Sequence, residues 1–245
     1  MFSFSTSDRI LVVAPHPDDE SLGTAGLLQR IFAQKVAVRI LYVTNGDNNP
    51  WAQRYWERRW RIGPTERIRW GRRRCEEALA AIMVLGGERD SATFLNLPDL
   101  GTTALLMDGS SELSSSLADE IQHWKPTVAL IPAKFDAHPD HSAVSVAFST
   151  ALESIGTSPM RIWEYLVHAP RLPIMQTPIG LLLNAEEVEC KRRAILCHET
   201  QVALSRTRFT RFAKAEETYY PHIRAGTKVA DPRLVAAGLH EDVLR

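Results

Sequence analysis

"RILVVAPHPDDESLG" occupies residues 9–23: an unbroken, mostly β-branched apolar run from Ile10 to Ala14, closed by Pro15 and followed at once by His16, Asp18, Asp19 and Glu20. A run with no polar alternation fits a strand buried on both faces, as in a parallel sheet covered by helices. One imidazole and three carboxylates crowded at the mouth of such a strand call for a chemical explanation.

Outward from this stretch, "GTAGLLQRIFAQ" (23–34) sets Leu27, Leu28, Ile31 and Phe32 at helical spacing, and "VAVRILYVTNGD" (36–47) is a second strand ending in a turn signal. Strand, helix, strand is a βαβ unit. The pattern returns as a helix from about Thr65 to Leu85 stopped by Gly86 and Gly87, a short strand "ATFLNL" (92–97), a helix "SSSLADEIQHW" (114–124) and a strand "TVALIPA" (127–133). The expected fold is α/β: a Rossmann-like, doubly wound, mostly parallel sheet with helices on both faces. Ligands of such sheets bind beyond the strand C-termini, where both "PHPDDE" (15–20) and "FDAHPDHS" (135–142) fall.

The 245 residues, 44% hydrophobic and 24% charged, suit one globular domain over 1–245 and exclude a disordered or fibrous chain. Lys+Arg and Asp+Glu balance at 29 each, so any taste for anions must be local. Cys75, Cys190 and Cys197 form no CxxC pair, which fits a reducing compartment; with no signal-peptide pattern and no transmembrane run, a cytoplasmic protein is expected.

If the chain turns helical just after Pro17, residues three apart share a face, so His16 and Asp19 can grip one cation. Asp18, beside but not on the metal, could take a proton from metal-bound water; Glu20 would face the helix start. The second cluster, His138-Pro139-Asp140-His141, repeats the spacing, and one of its histidines would complete a two-His, one-carboxylate site that keeps a fourth position open for water. The other histidine could polarise a carbonyl or protonate a leaving group, with Asp140 fixing its tautomer; spacing does not say which histidine does which. The same ligand set suits a non-haem iron oxygenase, although those ligands usually project from a β-sandwich.

"PHPDDE" followed by "HPDH" resembles the LmbE-like family of zinc-dependent de-N-acetylases, which includes the N-acetylglucosaminylphosphatidylinositol de-N-acetylases (PIG-L). The likeness extends to "TNGD" (44–47), Arg74 and Glu77, "NLPD" (96–99), "YLVH" (165–168) and "KRRAILCHETQ" (191–201). It implies that His16, Asp19 and His141 ligate zinc and that Asp18 is the general base. His138 would stabilise the oxyanion and assist departure of the amine, and Asp140 would orient His138. Arg74 would contact substrate. The implied reaction is hydrolysis of the acetamide of an amino sugar, free or carrier-linked, with Zn2+ as cofactor; Fe2+ suits the same N and O ligands. Pro15 stands where many relatives carry alanine or glycine.

"WAQRYWERRWRIGPTERIRWGRRR" (51–74) has two readings. Its aromatic faces and arginine forks suit a glycan or sugar phosphate, single-stranded nucleic acid or an anionic membrane surface. Alternatively it is a surface helix whose tryptophans pack inward and whose arginines pair with Glu57 and Glu66. A nucleic-acid binder with a structural metal site is the non-enzymatic rival, but a structural zinc site normally has four ligands and only three stand out; no specific nucleic acid is expected. Asp47 is placed at substrate hydroxyls or behind the metal ligands, while His168, His198 and Gln201 default to packing. The sugar, its carrier and the oligomeric state are left open.

Overall fold

The computed structural model describes residues 2–156, 159–168 and 176–222. Parts of the expected single domain, 169–175 and 223–245 included, lie outside these. Seven strands form one sheet in the order β3-β2-β1-β4-β5-β7-β6. β1 (Arg9–Ala14), β2 (Ala37–Thr44), β3 (Ala92–Leu97), β4 (Val128–Pro132) and β5 (Arg161–Tyr165) are parallel, so the expected doubly wound sheet is what the chain builds. β7 (Glu216–Pro221) runs antiparallel to β5 and to β6 (Ile179–Leu182), an edge that the sequence reading did not foresee.

Burial follows the two-residue period of a strand. Ile10, Val12 and Ala14 join one core with Ile40, Tyr42, Val128 and Leu130; Leu11 and Val13 join the opposite core with Leu41, Val43, Ala129 and Ile131. The first core is covered by α2 (Ala25–Ala33), α4 (Pro64–Val84) and α8 (Ala185–Cys197), the second by α6 (Glu112–Trp124) and α7 (Pro139–Ile155). Both faces being dry explains why the parallel strands read as solid apolar runs.

The order reverses direction at β1, which pairs with β2 on one side and β4 on the other. That switch point opens a crevice above the sheet and sets the loop after β1 beside the loop after β4. The β6–β7 edge is pinned by Glu217, buried at 4% exposure: its carboxylate accepts from Gly26 N (2.7 Å) and Leu27 N (3.0 Å) in the first turn of α2, and from Lys191 Nζ (2.6 Å). Among the described residues no helix is long and apolar enough to cross a membrane.

The Trp/Arg segment forms α3 (Pro50–Glu57) and the first half of α4. Arg69 pairs with Glu57 and Arg59 with Glu66 (2.9 Å), and Arg73 lies 4.6 Å over the Trp56 ring. Trp70 is buried, whereas Trp51 and Trp60 are exposed. The ion pairs therefore follow the surface-helix reading, whereas the expected inward packing of the tryptophans holds for Trp70 and not for Trp51 or Trp60.

Candidate active site

His16 follows β1, and Asp19 opens α1 (Asp19–Gly23). Across the crevice His138 caps α7, Pro139 takes the first helical position where its missing N–H costs nothing, and His141 lies in the first turn. The two loops meet. Asp19 Oδ2 stands 3.1 Å from His16 Nδ1 and 3.2 Å from His141 Nε2. Ring nitrogens of His16, His138 and His141 all lie within 4.8 Å of one another.

These distances fit a shared cation. Ligand atoms about 2.0–2.1 Å from a tetrahedral metal are about 3.3 Å apart, the spacing seen around Asp19 Oδ2. Both nitrogens of His141 are buried and make no hydrogen bond, although a carboxylate oxygen stands near each. The outer nitrogens meet carboxylates too: His16 Nε2 with Asp140 Oδ2 (3.2 Å) and Asp99 Oδ1 (3.3 Å), His141 Nδ1 with Asp136 Oδ2 (3.2 Å). A carboxylate behind a histidine fixes the tautomer and aims the inner nitrogen at the metal.

The electrostatics agree. Burial alone would lower the pKa of His141, but Asp19 and Asp136 push it up to about 9; burial likewise opposes protonation of His16, and Asp140, Asp19 and Asp99 raise it. Burial would raise Asp19, yet the charge of His141 holds it well below the usual carboxylate range. The cluster is built around positive charge, which a divalent cation would supply while displacing ligand protons.

His138 behaves oppositely. Burial and the neighbouring His16 and His141 lower its pKa to about 4, so the ring is neutral near pH 7. Asp140 N–H donates to its Nδ1 (3.2 Å), which places the ring proton on Nε2. Asp140 thus fixes His138 through its backbone. Its carboxylate accepts instead from Thr102 Oγ1 and Leu100 N and meets His16, so the expected carboxylate clamp on His138 is not what the structure contains. From the first turn of α7 the Asp140 side chain reaches His16, just after β1, and Leu100 and Thr102 at the start of α5 (Thr102–Met107) rather than its own N-cap.

Asp18 lies beside Asp19 at φ 150°, which L-residues seldom adopt; its carbonyl accepts from Ser21 N and Leu22 N, and its own N–H donates to Glu20 Oε2 (3.1 Å). Burial raises its pKa, against Arg74. Arg74 Nη2 donates to Asp18 Oδ2 (3.1 Å) and to Pro17 O (2.9 Å), and Nη1 to Gly46 O (2.8 Å). Expected as a substrate contact, Arg74 lines the site cavity, is 4% exposed and holds the carboxylate of Asp18. Asp47 lies elsewhere: it borders a separate shallow cleft with Arg67, and the next two residues, Asn48 and Asn49, line the site cavity.

Sequence reasoning missed Asp136, fully buried two residues before His138. It accepts from His138 N (2.8 Å), Val167 N (3.0 Å) and His168 N (3.1 Å) and meets the rings of His141 and His168, so one carboxylate organises three histidines. His168, assigned to packing, lines the cavity. His198 meets Glu20 Oε1 at 3.0 Å, joining α8 to the first motif behind the metal ligands. The cavity itself, about 720 Å3, runs from His16, Asp18, Asp19 and His138 outward past Trp51 to α10 (Arg206–Thr210).

A profile of the family described as "PIG-L: GlcNAc-PI de-N-acetylase" matches residues 11–152, more than half of the 245-residue chain and both histidine motifs. The chain belongs to the PIG-L family. It is similar to the diacetylchitobiose deacetylase of Thermococcus kodakarensis, 24% identical over 81% of this chain and 72% of that protein. It is also similar to a 1D-myo-inositol 2-acetamido-2-deoxy-alpha-D-glucopyranoside deacetylase of Gordonia bronchialis, 28% identical over 61% of this chain and 58% of that protein. Among solved structures, the N,N'-diacetylchitobiose deacetylase of Pyrococcus horikoshii superposes with a TM-score of 0.68 at 19% identity, over 91% of this chain and 89% of that one, a likeness of fold. Relatives in the PIG-L family thus include amino-sugar deacetylases, and a His/Asp group able to hold a metal ion sits where the two motifs meet.

Proposed function

We propose that this PIG-L protein hydrolyses the acetamide of an N-acetylated amino sugar, with His16, Asp19 and His141 as ligands of a divalent metal, Zn2+ or Fe2+. The observation that carries this reading is Asp19 Oδ2, set 3.1 Å from one ligand nitrogen and 3.2 Å from the other, with Asp18 fixed alongside. A bound divalent cation would supply Lewis acidity at this point, polarising the carbonyl and acidifying water.

The protein's own groups divide the remaining work. Asp18, raised by burial and aimed by Arg74, accepts a proton from the attacking water. His138, neutral and carrying its proton on Nε2, donates a hydrogen bond to the carbonyl oxygen as negative charge develops there. The proton taken by Asp18 passes to nitrogen as the C–N bond breaks, releasing acetate and a free amine. Asp136 and Asp140 keep the imidazoles in place throughout.

Acetate release from a panel of N-acetylhexosaminides by protein of defined metal content tests the reading. Turnover of at least one sugar is expected with Zn2+ or Fe2+ and none with the metal stripped. Protein that binds its metal through His16, Asp19 and His141 yet frees acetate from no sugar rejects the reaction class.

A further inference from the structure

Asp18 occupies the N-cap of α1, a place where aspartate ordinarily spends its carboxylate on backbone N–H groups of the first turn. Here its side chain makes no such bond. In a capping box the bonding is reciprocal: the N-cap side chain reaches forward into the first turn, and an acid of that turn reaches back to the N-cap N–H. At α1 only the backward half exists. Glu20 Oε2 accepts from Asp18 N–H at 3.1 Å, while the carboxylate of Asp18 lines the site cavity and meets Arg74 Nη2 at 3.1 Å. Glu20 thus supplies the cap bond, and the Asp18 carboxylate is left free to take a proton.

The backbone shows what this arrangement requires. Asp18 sits at φ 150°, ψ −22°, outside the regions open to L-residues, and such a conformation persists only where its surroundings over-determine it. Ser21 N (3.0 Å) and Leu22 N (2.9 Å) donate to its carbonyl, but bonds of that kind form at any helix start. Two others are particular to this turn: Arg74 Nη2 donates to Pro17 O (2.9 Å), and Asp18 N–H donates to Glu20. Glu20 is itself fixed, for it is fully buried and its other oxygen, Oε1, meets Ser21 Oγ (2.6 Å) and His198 Nε2 (3.0 Å). It is the one carboxylate of the first motif that the mechanism leaves without a task.

We propose that Glu20 is a positioning residue for the general base: by holding the Asp18 N–H it fixes the positive φ that turns the Asp18 carboxylate into the site. This rests on the deacetylase reading, in which Asp18 takes the proton of the attacking water. Released from Glu20, the peptide would relax toward negative φ and carry the carboxylate off its line, and a displacement of about 1 Å can cost about 10^2 in rate.

Two substitutions separate reach from charge. Glu20→Gln keeps the length of the side chain and an oxygen that accepts from Asp18 N–H, and loses the charge; Glu20→Asp keeps the charge and is one methylene shorter, so it falls short of that N–H. In the metal-loaded full chain, with a neutral N-acetylglucosaminide as substrate, Glu20→Gln should keep most of kcat, whereas Glu20→Asp should lose about 10^2 in kcat with KM and metal content unchanged. A role in charge balance or packing alone would reverse that order or move only Tm. Hydrogen exchange of the Asp18 amide, followed by NMR, reads the clamp directly: slow in the wild type and in Glu20→Gln, faster in Glu20→Asp. If no sugar is deacetylated but the exchange follows this pattern, the clamp stands and the deacetylase reading falls. Equal kcat in the two variants at full metal content, a Glu20→Asp enzyme more active than Glu20→Gln, or an Asp18 amide that exchanges freely in the wild type overturns the proposal.

Discussion

Two regions of this chain are dense in charge, the paired HPD loops and the Trp/Arg segment, and they use it in opposite ways. In the loops His16, Asp18, Asp19, Asp140 and His141 are all at 7% exposure or less and face one another. In residues 51–74, Arg74 apart, the charges stand mostly in solvent, and the shortest ion pairs, Arg59 with Glu66 and Arg69 with Glu57, are local. Ionisable groups are rarely driven into a protein unless they are paired or bind a metal, whereas a solvated face needs no such reason. Charge density in the sequence is the same signal in both places; only burial separates chemistry from surface.

The sharpest way to break this contrast is at the floor of the cavity. Asp19→Asn should lose the metal, read by elemental analysis of dialysed protein, together with all turnover. Asp18→Asn should keep the metal and lower kcat by about 10^2–10^4, the range for general-base catalysis. An Asp18→Asn enzyme with normal kcat removes Asp18 from the base role, and an Asp19→Asn protein with full metal content removes Asp19 from the ligands.

Asp136 sharpens the comparison one layer further out. Its oxygens meet His141 and His168 while its neighbours' N–H groups hold it. Asp136→Asn should weaken metal affinity or activity by about 10–100-fold, as losses behind a ligand histidine do. Metal titration with a competing chelator reads this; unchanged affinity and kcat would make Asp136 a loop staple only.

The strands and helices around β1, β2, β3 and β4 were legible because a parallel sheet covered on both faces demands solid apolar runs, and turn residues punctuate them. "ETYYP" in β7 and "GLL" in β6 gave no such signal, since a short antiparallel edge carries mixed residues and is held by one buried pair, Lys191 with Glu217. In the site, spacing was enough to pick out His16, Asp18, Asp19, His138 and His141. It could not say that Asp136 would meet His168, 32 residues on, or that the guanidinium of Arg74 would be taken by Asp18, 56 residues away. Those partners are chosen by the sheet order. The Asp140 carboxylate was misread because a partner two residues away, His138, is the local choice, while the fold brings His16, 124 residues away, to it.

A smaller effect is expected where buried charge serves architecture. His198, 1% exposed, pairs with Glu20. Burial would lower its pKa, but the charge and hydrogen bond of Glu20 outweigh that and raise it. A histidine raised in the folded state contributes stability that is complete below its unfolded value of about 6.5 and is lost as pH climbs through the folded value. His198→Ala should cost about 3 kcal/mol below pH 6.5, in the range for breaking a buried pair, and the penalty should shrink at alkaline pH. Urea unfolding of metal-saturated protein at several pH values reads it, and a penalty that grows with pH would contradict the assignment.

The smallest effect belongs to the Trp/Arg segment. Arg59→Gln with Arg69→Gln removes both local ion pairs from residues that are about half exposed, 57% and 51% at the side chain. Such pairs are screened by solvent and salt, so Tm should move by less than about 2 °C, with the difference vanishing at high ionic strength. Metal content and kcat/KM on a neutral substrate should not change, because neither residue lines the site cavity. Loss of activity in this variant would show that the exposed segment takes part in the chemistry and would erase the distinction between the two charge-rich regions.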